Sequence, residues 1–88
     1  MGDLVQLVEH GFQDPDEDQP HWTRGHRYPV PASNRRRLLD SGRLHPADDG
    51  WAYEHTPLPG GGHAVCRIRW DDARLWAPEH REHAWGRR

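Results

Sequence analysis

The chain has 88 residues, 33% of them hydrophobic, at a mean hydropathy of -1.15, which predicts one domain with a small core and little room for a buried catalytic cleft. The net charge of -2 argues against an indiscriminate nucleic-acid binder, although all twelve cations are arginine and none is lysine. A single cysteine excludes an internal disulfide, no apolar run approaches the ~18 residues needed to cross a bilayer, and Met1–Gly11 lacks the features of a secretory leader, so a cytoplasmic protein is expected.

From Asp3 to Glu9 apolar residues occupy both parities, Leu4 and Val8 on one side and Val5 and Leu7 on the other. This predicts a strand covered on both faces, stopped by Gly11. Residues 13–21 form an acidic, proline-bounded loop in which four of the five residues Asp14–Asp18 are acids. It reads as a solvated insertion or as a tether folded over the arginines that follow. The spacing and glycine of a calcium-binding EF-hand loop are absent. Thr23–His26 reads as a turn around Gly25, and Arg27–Pro31 as an extended edge strand, because a residue preceding proline is held out of the helical region.

A helix of about two and a half turns is expected to open at Pro31 or Ser33 and to close at Gly42. Leu38, Leu39 and Leu44 would dock it on a sheet, with Arg35, Arg36 and Arg37 spread around its first half. Cations beside the positive pole of a helix cost a few tenths to about 1 kcal/mol each. An acidic counterpart is therefore expected: phosphate, a partner's carboxylates, or the Asp14–Asp18 loop.

The strongest pattern lies in 50–78. Ala64, Cys66, Ile68 and Trp70 alternate with His63, Val65, Arg67 and Arg69, the period of a half-buried strand with the first set in the core. Trp51, Tyr53 and His55 share a parity, and Thr56–Gly62 is the loop of a hairpin. Asp71-Asp72-Ala73 reads as a tight turn, Arg74–Ala77 as a third short strand, and 79–88 as a tail with one helical turn presenting Trp85. The expected fold is a single α+β domain over residues 1–88. It is a small twisted antiparallel sheet of about five short strands, SH3-like or a partly open barrel, with one short helix between the second and third strands.

Eight histidines prompt a search for metal ligands, and the best set is His63, Cys66, His80 and His83. Strand parity puts His63 and Cys66 on opposite faces, so no metal and no other cofactor is expected. Cys66 belongs to the buried parity, Ser33 and Ser41 have no histidine at helical spacing, and the aspartate doublets fall in turns. No Lys-Ser/Thr follows Gly60–Gly62, which excludes a phosphate loop. An enzyme is not expected.

The run Arg36–Leu44 followed by Trp51-Ala52-Tyr53 resembles the recognition helix and wing of excisionase-type winged-helix proteins, which implies DNA contacts for Arg35, Arg36, Arg37 and Arg43. The segments 2–8, 25–30 and 66–80 together resemble the strands of small SH3-like β-barrels. Residues 28–42 are similar to the strand-then-helix units of short phage and prophage accessory proteins. These likenesses imply a binding module. The favoured expectation is a small regulatory or assembly accessory subunit that binds a protein partner through Arg24, Arg27, Arg35, Arg36, Arg37, Arg43, Trp22, Trp76 and Trp85. DNA binding by the arginine helix comes second and a small zinc-binding module third.

Overall fold

In the computed structural model, which describes residues 3–75, strand β1 (Asp3–Gln13) lies inside a five-stranded antiparallel sheet and positions everything else. It pairs along its length with β2 (His21–Pro31) on one side and with β5 (His63–Asp72) on the other. The two-residue β3 (His45–Pro46) and β4 (Ala52–Pro57) complete the order β2-β1-β5-β4-β3. The one helix among the described residues, α1 (Ala32–Asp40), joins β2 to β3. The α+β class, the helix between the second and third strands and the 52–72 hairpin follow the expectation. The sheet is open, with β2 and β3 as its edges.

Four details depart from it. Gly11 does not stop β1, which continues to Gln13 through a bulge between His10 and Gly11. A Cβ at residue 11 would overlap the His21 carbonyl oxygen, so this glycine permits a close approach of two strands instead of breaking one. The segment Thr23–His26 is not a turn, because β2 already begins at His21 and its ladder to β1 overrides the local glycine signal. Asp71 and Asp72 remain in β5, and Ala73–Leu75 form one 3-10 turn in place of a third strand. The Asp72 carboxylate accepts from the Arg74 backbone N–H at 2.9 Å, which caps that turn. Finally, three strands are long, at 11, 11 and 10 residues, rather than short. Trp76, Ala77 and the 79–88 tail with Trp85 lie outside the described residues.

The core is divided between the two faces of the sheet. On the helix face Val8, Leu44, Ala52 and Ile68 are buried together, with Leu38, Leu39, Cys66 and Trp70 packed against them. On the opposite face Val5 and Leu7 pack with Trp51 and Ala73, and Val65 is buried as well. Val65 corrects the reading of its parity as solvent-facing, since the sheet is covered on both sides at this strand. The helix itself buries no residue fully, and no side chain caps its N-terminus at Pro31. Tertiary contacts therefore hold it in place. Gln6, only 4% exposed, provides the polar part of that hold. Its Oε1 accepts from Asn34 Nδ2 of α1 at 2.6 Å and from Trp70 Nε1 at 2.9 Å, while its Nε2 donates to Tyr28 Oη at 3.0 Å.

Because Ile68 fills the centre of the helix-face cluster, Ile68→Ala should cost about 2–4 kcal/mol, read from urea unfolding with an unchanged slope. A loss below 0.5 kcal/mol would mean that the cluster is not the core.

Candidate functional site

The six arginines between residues 24 and 43 do not form one patch. Arg24 stands on the helix face of β2 opposite His10, whereas Arg27, opposite Leu7, stands on the other face. Arg35 lies over the Trp70 ring at 6.0 Å, and Arg37 donates to Asn34 Oδ1, bracing the residue that grips Gln6. Arg36 is exposed, and Arg43 pairs with Glu54 at 2.9 Å. The acidic loop is not their counterpart. It caps the β1–β2 hairpin at the Phe12–His21 end, while α1 starts from the opposite end of β2. Glu17 of that loop pairs with His21 at 2.5 Å, and Pro15 packs toward Gly61 and Gly62. The tether is thereby corrected: eleven residues of extended strand separate the loop from the helix start.

The face away from α1 is built around Arg67. Its guanidinium donates through Nε to Glu9 Oε1 at 2.7 Å and through Nη1 to Tyr53 Oη at 3.3 Å. It also lies 4.3 Å from the Trp22 ring centre and 4.2 Å from that of Trp51, a cation held against two aromatic faces. Tyr53 in turn donates to Asp49 Oδ2 at 2.5 Å and so holds that carboxyl below its usual range. Burial, reinforced by Asp49, pushes the Tyr53 hydroxyl up. Arg69 stands 5.1 Å from the Trp51 ring and pairs with Asp71. Beyond Tyr53, the His55 ring stacks at 6.4 Å and meets His63 edge-on at 5.7 Å. Trp22, Trp51, Tyr53, His55 and His63 thus line one surface, with no helix over it among the described residues. Of the residues named from the sequence, this surface contains Trp22 and His63.

A cavity of about 590 Å³ opens on the helix face past the end of α1, with His10, Thr23, Arg24, Arg43, Glu54 and Cys66 on its walls. Across the strands Glu54, Cys66, His10 and Arg24 stand in one row. Burial and the Glu54 carboxylate push the Cys66 thiol up, and burial, Arg24 and His26 push the His10 imidazole down. The thiol is kept protonated beside a neutral ring, whereas nucleophilic attack requires a thiolate. This row presents hydrogen-bonding groups. His63 and Cys66 point to opposite faces, as strand parity requires, and His80 and His83 lie outside the described residues. Among the described residues no three His, Cys, Asp or Glu side chains are grouped to hold a metal ion, and no helix is long and apolar enough to cross a membrane.

No family model matches the chain, and no curated protein or solved structure does either. The geometry alone therefore carries the functional reading.

Sequence reasoning missed Gln6, Glu9 and Arg67. A signal for two of them was present. Gln6 and Glu9 interrupt a strand whose apolar residues occupy both faces, and a polar side chain buried there must find a partner. Arg67 carried no such mark, since alternation assigned it to solvent.

Glu9 is 6% exposed, and removing its cation strands a buried carboxylate. Arg67→Ala should therefore cost about 3 kcal/mol, well above the cost of Arg74→Ala at an exposed pair. Equal losses in thermal or urea unfolding would contradict the role given to Arg67.

Two histidines should titrate in opposite directions from the ordinary value. The hydrogen bond and charge of Glu17 raise His21, and burial with Arg24 and His26 lowers His10. The His21 contribution to stability is complete below the unfolded value and is lost as pH rises through its raised folded value. That of His10 is complete above the unfolded value and is lost as pH falls through its lowered one. Imidazole proton shifts followed by NMR across pH 4–9 check both signs.

Proposed function

We propose that the protein is a small non-enzymatic binding module, an accessory subunit of regulatory or assembly type, whose partner is another protein. The observation that carries this reading is the Trp22–Trp51–Tyr53 surface built on Arg67. Tryptophan, tyrosine and arginine are the residues that dominate binding energy at protein interfaces, and here both indoles pack on the Arg67 guanidinium and Tyr53 is hydrogen-bonded to Arg67 and Asp49, which lowers the ordering cost of association. Exposed His55 and His63 extend the surface, and the protonated thiol of the Cys66 row supports binding over catalysis. The likeness to phage and prophage accessory proteins is consistent with such a role and names no partner.

A second reading has its own observation. Arg35 and Arg36 are exposed on α1, whose first turn contains no acid, and the acidic loop that would repel a polyanion lies at the far end of β2. DNA contact through this helix follows the resemblance to excisionase-type proteins, although α1 is preceded by a strand and not by the first helix of a helix-turn-helix.

Capture of partners by tagged protein, with and without nuclease, separates the readings. We expect a partner that survives nuclease treatment and is lost with His55→Glu/His63→Glu at two exposed positions, in a variant whose thermal unfolding verifies that it is folded. In parallel, random duplex DNA titrated over a salt series should bind weakly at physiological salt. Tight binding with a slope of about -3 in log K against log salt, abolished in Arg35/Arg36/Arg37→Ala, would reverse the order.

A further inference from the structure

The helix face is left uncovered at one end, and three features converge there. The first is the bulge in the β1–β2 ladder. His10 faces Arg24 while Gly11 faces Trp22, so Thr23 is the extra residue, and its hydroxyl donates to the His10 carbonyl at 3.1 Å. A bulge re-aims side chains, and this one sends Trp22 to the other face while Arg24 keeps the helix face that the unshifted ladder gives it. The second feature is charge. Glu54 on the cavity wall accepts from Arg43 Nε at 3.0 Å, whereas Arg24 has no carboxylate partner among the described residues. The fixed charge left over is positive. No residue of the acidic loop lines the cavity, and solvent screens its exposed carboxylates within about 10 Å. The third is an apolar floor. Phe12 is 51% exposed beside Ala64 and the half-buried Cys66, an unusual position for the only phenylalanine of the chain.

We infer that this cavity binds a small organic anion, a carboxylate or a phosphate monoester carried on an apolar body. Arg24 meets the charged end with its planar pair of donors, Thr23 and His10 flank it, and the body lies on Phe12. The volume of about 590 Å³ falls within the ~300–1,000 Å³ of small-molecule sites. The site lies on the opposite side of the sheet from the Trp22–Tyr53 surface, so it does not rest on the partner reading.

The test is an NMR titration of the full chain with benzoate, phenyl phosphate and the neutral benzamide. Both anions are expected to move the amides of residues 10–12, 23–24 and 64–66, and the tighter of the two identifies the charged group. Benzamide is expected to leave them unmoved. Arg24→Gln should weaken anion binding about tenfold, and Arg36→Gln, on the exposed helix surface, should not; a dispersed spectrum of each variant verifies its fold. Equal response to benzamide, shifts centred on Arg35–Arg37, an unaffected Arg24→Gln, or no shift at 10 mM anion would each overturn the assignment.

Discussion

Gln6 is the residue on which the architecture depends. Its amide is buried in the middle of β1, where an unsatisfied amide would cost a few kcal/mol. Three partners satisfy it, and each belongs to a different element: Tyr28 of β2, Asn34 of α1 and Trp70 of β5. A hydrogen bond from Asn34 requires the first turn of α1 to lie over β1, and Trp70 can reach only if β5 is in the observed register. One side chain therefore fixes the helix on the sheet and the strand beside it. The leucines supply apolar area, but their contacts are non-directional and would tolerate a shifted helix. The amide would not.

The open face solves a different problem. A sheet needs cover on both sides when its central strand is apolar on both, and α1 covers only one. Trp22 and Trp51 approach from the two flanks and meet over Arg67, whose charge is neutralised by Glu9 beneath it. Two indoles and a guanidinium form a partial second layer without a second helix. This explains how a chain of mean hydropathy -1.15 buries Leu7 to 1% exposure. The same construction makes the outer surface aromatic and rigid, so core and candidate interface are one set of side chains on this side.

Much of the fold was legible in the sequence because alternation in β5, the glycine-rich hairpin loop and the helix bounded by Pro31 and Gly42 are local signals. The features that misled were also local. Gly11 and Gly25 read as punctuation, yet both lie within paired strands, one because a neighbouring backbone comes too close for a Cβ. Asp71-Asp72 read as a turn one step early. Strand order, and the pairing of β1 with β5 across more than fifty residues, had no signature in any window of sequence. The site was less legible. Arginines near in sequence read as a single patch, and only the register of β2 reveals that Arg24 and Arg27 point to opposite faces.

Trp22 and Arg24, two positions apart on β2 yet on opposite faces, are separated by one extra residue. Without the bulge at His10–Gly11 the β1–β2 ladder would keep one phase from Asp3 to Gln13, and the side chains of β2 beyond it would exchange faces, since a shift of one residue inverts every side chain. Trp22 would leave the Arg67 stack and Glu9 would lose part of its cover. Gly11, which has no side chain to contribute, thereby lets Trp22 join the aromatic face, while Arg24 stays on the helix face in the unshifted part of the ladder. An alanine there would clash with the His21 carbonyl, so the close approach of the two strands at the bulge requires glycine. A single backbone position consequently decides that Trp22 belongs to the aromatic surface and not to the face that carries Arg24.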